Sequence, residues 1–87
     1  MKIYDYDGKK NICGERTHEA RCKLRLTQSD LAAKLQINGI IIERDSVSRI
    51  ELGTRFVADY ELRELAKILK VSVNWLLGIE EWFFKSQ

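Results

Sequence analysis

A short predicted helix, from about Arg44 to just before Gly53, carries most of the side chains that could do chemistry in this chain. Its apolar residues Val47 and Ile50 are three apart and form one narrow buried face. Arginine pairs with guanine through two hydrogen bonds, carboxylates accept from cytosine, and serine suits several bases. The outer face therefore predicts hydrogen bonding to base edges and phosphates by Arg44, Asp45, Ser46, Ser48, Arg49 and Glu51.

His18 and Cys22 are the other chemically capable pair, because residues four apart share one face of a helix. They could supply half of a zinc site, but no second ligand pair has a matching spacing, and Cys13 lies on another side of the turn. We interpret the pair as a surface histidine beside an inert thiol and expect no metal and no cofactor. Cys13 and Cys22 would lie about 13 Å apart along one helix, so we expect free thiols in a reducing cytosol.

Composition bounds the fold and excludes several functions. The 87 residues allow one domain, and 45% apolar residues with no proline and few glycines favour an all-α fold. A net charge of +2 is too small to indicate nucleic acid by itself. The sequence has no membrane-length apolar run, signal peptide, catalytic triad, phosphate loop or paired carboxylates. We therefore expect a cytoplasmic, nucleoid-associated protein that is not an enzyme and has no membrane or small-molecule partner.

Helical periodicity and capping residues predict four further helices around the polar one. The first should run from Asn11 to Leu24, and the second should begin at Thr27, where Asp30 completes a near capping box, and end at about Leu35. Another should span Asp59–Leu69, and Ser72 should cap a short last helix. The first helix should bury Cys13, Thr17, Ala20 and Leu24. The fourth helix should expose its charged residues to solvent, namely Glu61, Arg63, Glu64, Lys67 and Lys70.

Two ordered motifs resemble a known family. L-T-Q-x-x-L-A-x-x-L, from Leu26 to Leu35, followed by S-x-x-R-I-E-x-G, from Ser46 to Gly53, looks like the helix-turn-helix of the phage repressor and Cro (XRE-like) class. The stretch Val71–Gly78 looks like the closing helix of that domain. The resemblance covers roughly residues 11–78 and implies a five-helix bundle of the lambda-repressor type, with the helix-turn-helix at its second and third helices.

The connection between the two motif helices departs from the family pattern. Gln36–Glu43 is about five residues longer than the usual tight turn, with a turn signal at Asn38-Gly39. We expect one or two of the isoleucines at 40, 41 and 42 to be buried, and Glu43 to be a poor N-cap. Arg25 stands where the family usually has glycine, so that turn should be strained or different.

The resemblance also implies roles for individual residues. The third helix would enter the major groove of double-stranded DNA, where Arg44, Asp45, Ser48 and Arg49 would read bases. Contacts to the DNA backbone would come from Gln28, Lys34 and Arg55, with a solvated loop arginine as an equal alternative for the last. Arg21 matches a family arginine that pairs with the glutamate of the third helix, which is Glu51 here, with an exposed arginine on a solvated face as the alternative.

The two ends of the chain suggest association. Residues 1–10 form an arm, either frayed or contacting a partner subunit or DNA. Residues 79–87 form an aromatic tail that folds back over the first and last helices or joins a homodimer interface made by Trp75, Trp82, Phe83 and Phe84. The leading hypothesis is a dimeric, sequence-specific transcriptional repressor. The alternative is a protein-interaction module, such as a toxin-neutralising antitoxin, which the aromatic tail and low net charge favour.

Overall fold

Local capping signals determine where the helices begin. In α2, Gln28–Ile37, the Asp30 backbone N–H donates to Thr27 Oγ1 (3.0 Å) and the Thr27 N–H donates to Asp30 Oδ2 (2.9 Å). In α5, Val73–Leu76, the Trp75 N–H donates to Ser72 Oγ at 2.9 Å. Both caps were predicted, and each satisfies backbone donors that a helix start leaves unpaired.

The computed structural model describes residues 6–79 of the chain. Within that range the remaining helices are α1 (Gly14–Lys23), α3 (Arg44–Leu52) and α4 (Asp59–Leu69), and there is no strand beyond one isolated bridge between Tyr6 and Lys9. The predicted all-α, five-helix architecture is therefore confirmed. None of these helices combines the length and apolarity needed to cross a membrane.

The N-terminal half of α1 lies unusually close to the end of α3. A Cβ atom on Gly14 would collide with the carbonyl oxygen of Ile50 and lie 2.9 Å from that of Glu51. Asn11 secures the same junction: its Oδ1 accepts from the Gly14 N–H (2.9 Å), and its Nδ2 donates to the Ile50 carbonyl (3.0 Å) and the Arg55 carbonyl (2.8 Å). The N-cap of α1 is Cys13 rather than the predicted Asn11, and the helix begins three residues later than predicted. Asn11 bonds the backbone at the start of α1 and around the end of α3.

The core is formed by one apolar side of each helix. Its most deeply buried apolar side chains come from α2, α3, α4 and α5. The predicted stripe of α1 joins them through Thr17 and Ala20, with Cys13 just before the helix, and Leu24 is partly buried against the same core. The two motif helices, α2 and α3, therefore pack against the other helices as well as against each other. The fully buried apolar side chains are Leu31, Leu35, Val47, Ile50, Leu65 and Leu76.

The long connection before α3 is anchored at alternate residues. Ile40 and Ile42 are buried, whereas Ile41 between them is 95% exposed, which confirms the prediction that one or two of the three isoleucines join the core. Gln36 Nε2 donates to the Ile42 carbonyl at 2.6 Å, and Gly39 adopts a φ of +88° at the predicted turn. The extra residues thus form a fixed loop that delivers the chain to the start of α3.

Two predictions about local structure need correction or completion. Glu61 and Glu64 were expected on the solvent-exposed face of α4, but both are buried. Each carboxylate accepts hydrogen bonds from nearby donors, which makes its burial possible. Arg25 does adopt the left-handed region, with a φ of +58°, where the family pattern has glycine. The aromatic residues Trp82, Phe83 and Phe84, predicted at a dimer interface, lie outside the described residues.

Candidate nucleic-acid interface

The candidate interface is the outer face of α3. Val47 and Ile50 are buried, so the helix is held by one side, and Arg44, Asp45 and Arg49 are exposed on the other. Ser48 is partly buried and lines a surface depression together with residues of α1 and α2. Because the core fixes the inner side chains, the orientation of the outer ones follows from the fold.

The exposed charges of α3 are held by weak, local contacts. Arg44 Nη2 lies 3.1 Å from Asp45 Oδ1, and the two side chains are 58% and 72% exposed. Arg49 Nη2 approaches Ser46 Oγ at 3.4 Å. Ion pairs at this exposure contribute roughly 0–1 kcal/mol. The side chains can therefore exchange these contacts for a ligand at small cost.

One carboxylate, that of Glu51, connects α3 to the two preceding helices. Arg21 donates through Nε to Oε2 (2.6 Å) and through Nη2 to Oε1 (3.1 Å), and Arg21 Nη1 also donates to the Leu26 carbonyl (2.7 Å). Oε1 further accepts from Gln28 Nε2 (3.1 Å) and lies 2.9 Å from His18 Nδ1. We name Glu51 and its partners Arg21, His18 and Gln28 the Glu51 cluster.

The Glu51 cluster is an enclosed ion pair. The side chains of Glu51 and Arg21 are 5% and 11% exposed. Burial by itself would raise the pKa of Glu51, but the hydrogen bonds from Arg21, His18 and Gln28 outweigh it, and the pKa lies below its ordinary value. The hydrogen bonds to Glu51 raise the pKa of Arg21. Both groups are therefore charged in the folded protein at neutral pH.

The structure brings some of the residues predicted to bind DNA together and separates others. Gln28, at the start of α2, and Ser48 of α3 line one surface depression with Glu51 and His18. Lys34 is exposed on α2 but lies in a different depression beside Ile68. Gln28 Nε2 donates one hydrogen to Glu51, so its second amide hydrogen and the backbone N–H groups at the start of α2 are the donors left for a phosphate.

Arg55 occupies a less open position than its sequence context suggested. Its Nη1 and Nη2 donate to the two carboxylate oxygens of Glu61, each at 3.0 Å, and Nη1 also donates to the Phe56 carbonyl at 2.8 Å. Glu61 Oε1 in turn accepts from the Ala58 N–H at 2.9 Å. This bidentate pair joins the loop after α3 to α4, a role that spacing along the sequence did not indicate.

Trp75 is partly buried against the core, and Arg16 covers its ring at 4.7 Å from the centroid while donating to its carbonyl oxygen (3.1 Å). The remaining ring edge lines an open cleft between α1 and the junction of α4 and α5. The cleft is formed by Ala20, Lys23, Leu24, Leu69, Lys70, Val71, Ser72 and Trp75.

Comparison with known families agrees with this geometry. The sequence model of the helix-turn-helix family matches residues 18–76, which contain α2, α3 and their connection. The chain therefore belongs to the helix-turn-helix proteins of the XRE and phage repressor type. Membership supports DNA binding and a role in transcription regulation, and the family is not a family of enzymes. A search of curated proteins finds no match.

Proposed function

We propose that this protein binds a specific sequence in double-stranded DNA as a homodimer and represses transcription from promoters that overlap the site. The observation that carries the proposal is the outer face of α3, where exposed, weakly held polar side chains stand on a helix whose inner side is fixed by Val47 and Ile50. A rigid helix with exchangeable hydrogen-bonding groups suits readout of base edges in the major groove.

The individual contacts follow from that placement. Arg44 and Arg49 offer paired N–H donors to guanine, Asp45 accepts from cytosine, and Ser48 serves either. Gln28 and the backbone at the start of α2 hold a phosphate, which fixes the register of α3 without reading sequence. Lys34 adds a phosphate contact that reads no sequence. Because its side chain is long and exposed, this contact positions α3 less tightly than that of Gln28 does.

Arg55 contributes to this function indirectly. Its guanidinium is already paired with both oxygens of Glu61, so a phosphate would have to compete with a bidentate ion pair. We propose that it positions the loop that follows α3, and that any contact it makes to the DNA backbone comes from the guanidinium N–H groups that do not point at Glu61.

The dimer is proposed from the helical repeat of double-stranded DNA and from one open surface of the protein. Two copies of α3 about 34 Å apart would match half-sites one helical turn apart. The open cleft beside Trp75, with its apolar lining and two lysines, is the surface we assign to self-association.

Selection of bound sequences from a random duplex pool, followed by affinity measurements across a salt series, tests the proposal. A palindromic motif with half-sites near one turn apart, bound with a steep salt dependence, is the expected result. Recovery of a single half-site would refute the dimer while retaining sequence-specific binding. Absence of any motif, with weak binding even at low salt, would refute the function.

A second candidate function rests on the exposed isoleucines. Ile37, the last residue of α2, is 83% exposed, and Ile41, within the long connection before α3, is 95% exposed. Exposed apolar side chains mark a protein interface when they form one patch, and these two isoleucines are the observation that favours an interaction module of the antitoxin kind. Substituting both by serine leaves DNA selection unchanged if DNA is the ligand, and abolishes partner binding if this candidate is right.

A further inference from the structure

A thiol, an imidazole and a carboxylate lie in line at the edge of the Glu51 cluster. Cys22 Sγ is 3.6 Å from His18 Nε2, and His18 Nδ1 is 2.9 Å from Glu51 Oε1. The sequence spacing predicts only the contact between Cys22 and His18, and it indicates no further group that would activate the thiol. The structure adds the carboxylate from α3, thirty-three residues away along the chain.

His18 Nδ1 lies between two charged groups, 2.9 Å from Glu51 Oε1 and 3.1 Å from Arg21 Nη2. A carboxylate oxygen can only accept, so we assign the hydrogen to Nδ1, which donates it to the nearer group, Glu51. In the neutral imidazole Nε2 is then unprotonated and faces the Cys22 sulfur. A base oriented by a third group and placed against a thiol is the general arrangement of an activated cysteine nucleophile.

The two cysteines of the chain differ in access. Cys22 is exposed, whereas Cys13 is buried, and burial raises the pKa of the Cys13 thiol. The thiolate is the reactive form of cysteine, so Cys13 is protected both by its surroundings and by its protonation. The buried Cys13 can therefore serve as an internal reference for the reactivity of the exposed Cys22.

We infer that Cys22 is a nucleophilic thiol that reacts with peroxides, with His18 as its proton acceptor and Glu51 as the positioning residue. The sulfur attacks one peroxide oxygen, an S–O bond forms and the O–O bond breaks. Sulfur loses two electrons and the peroxide gains them. The thiol proton passes through His18 to the departing oxygen, leaving a sulfenic acid and an alcohol or, from hydrogen peroxide, water.

Oxidation of Cys22 also affects the proposed DNA-binding surface, a consequence that rests on the proposed function. The sulfenic oxygen adds a hydrogen-bonding group beside His18 Nε2, which lies 3.6 Å from the sulfur, and we expect the imidazole to shift toward it. His18 and Gln28 share Glu51 Oε1, and Gln28 holds a phosphate in the proposed complex. Disturbing this shared acceptor weakens the phosphate contact, and DNA affinity falls.

Competition for iodoacetamide at pH 7 measures the reactivity of both thiols in one sample, with each alkylated cysteine quantified by mass spectrometry. His18→Gln keeps a hydrogen-bonding group toward Glu51 but removes the base, and should slow labelling of Cys22 about tenfold or more. Lys23→Ala, on the next residue along α1, is the matched control for a general charge effect. Labelling of Cys13 reports unfolding, because that thiol is buried.

Two results would overturn the activated thiol. One is a Cys22 labelling rate that His18→Gln leaves unchanged, and the other is equal slowing by Lys23→Ala, which would make the effect one of charge rather than of a specific base. Increased labelling of Cys13 in His18→Gln would mark a folding defect. In that case His18→Asn, with unchanged Cys13 labelling as the criterion, gives the decisive rate.

Hydrogen peroxide, with dimedone to trap sulfenic acid, tests the peroxide reaction and its consequence. The expected result is a dimedone adduct on Cys22 and a several-fold loss of affinity for the selected DNA, absent in Cys22→Ser. No adduct would overturn the peroxide reaction. An adduct with unchanged DNA affinity would overturn the regulatory consequence alone. If the unoxidised protein selects no DNA sequence, the proposed function itself is refuted, whatever the reactivity of Cys22.

Discussion

The charged side chains at the two ends of α3 differ in their exposure to solvent. At its C-terminal end, Glu51 is nearly enclosed and accepts hydrogen bonds from Arg21 and Gln28, with His18 in contact as a further donor. At its N-terminal end, Arg44 and Asp45 are largely exposed and contact each other. The enclosed charge fixes the helix relative to α1 and α2, and the exposed charges remain available to a ligand. A helix that reads DNA needs both, because free side chains are useful only on a fixed backbone.

The largest expected difference between these regions is in stability. Glu51→Ala leaves the Arg21 guanidinium enclosed without its carboxylate, and should lower the free energy of unfolding by about 3–5 kcal/mol. Asp45→Ala, which removes an exposed carboxylate from the same helix, should change it by about 0.5 kcal/mol or less. Urea denaturation of both variants measures the contrast. Equal losses would mean that Glu51 is no more important to the fold than a surface charge.

Gly14→Ala tests the contact that brings α1 against the enclosed end of α3. Alanine favours a helix over glycine by about 1 kcal/mol, so propensity alone predicts stabilisation. The new Cβ would collide with the Ile50 carbonyl, and we expect a net loss of about 1–3 kcal/mol instead. Thermal unfolding, with the exposed neighbour Glu15→Ala as the control, gives the sign. A stabilised Gly14→Ala protein would contradict the close approach of α1 and α3.

Gln28→Ala tests whether the Glu51 cluster also serves DNA binding. It should weaken binding to the selected site and to random duplex by the same factor, about 1 kcal/mol in free energy, and leave the salt slope unchanged, because a neutral amide displaces no counterion. Fluorescence anisotropy on both duplexes measures it. A loss confined to the selected site would instead make Gln28 a base-reading residue.

The smallest expected effect is a pH dependence of stability. The folded-state pKa of Glu51 is lowered from a reference value of 4.5, so its contribution is fully present above about that pH and is lost as pH falls through the folded value. The stability difference between wild type and Glu51→Gln should therefore shrink in acid. Unfolding free energies at pH 7 and at pH 4 or below give this difference. A constant difference would contradict a lowered pKa.

Part of this organisation could be predicted from the sequence because it is local. The Thr27–Asp30 capping box, the Ser72 cap and the turn at Asn38-Gly39 depend on neighbouring residues and lie where they were predicted. The Arg21–Glu51 pairing came from family resemblance, and the structure places the two side chains 2.6 Å apart.

Features that depend on a second element could not be predicted in the same way. Helical spacing shows which residues share a face but not what another helix brings against it. Glu61 therefore looked solvated, and Arg55 looked free, until the fold placed the two in a bidentate pair. The close approach at Gly14 likewise depends on carbonyl oxygens of α3, about which the sequence around Gly14 contains no signal.

The central claim is that the exposed face of α3 reads bases, and Arg49 is its most direct test. Affinities of wild type and Arg49→Ala should be measured on the selected site and on each single base-pair variant of it. Arg63→Ala, which removes an exposed arginine from α4, is the matched control. We predict that Arg49→Ala loses about 1–3 kcal/mol on the selected site and its preference at one base pair, while Arg63→Ala keeps every preference. Equal losses for Arg49→Ala on specific and random DNA, with all base preferences retained, would contradict the claim.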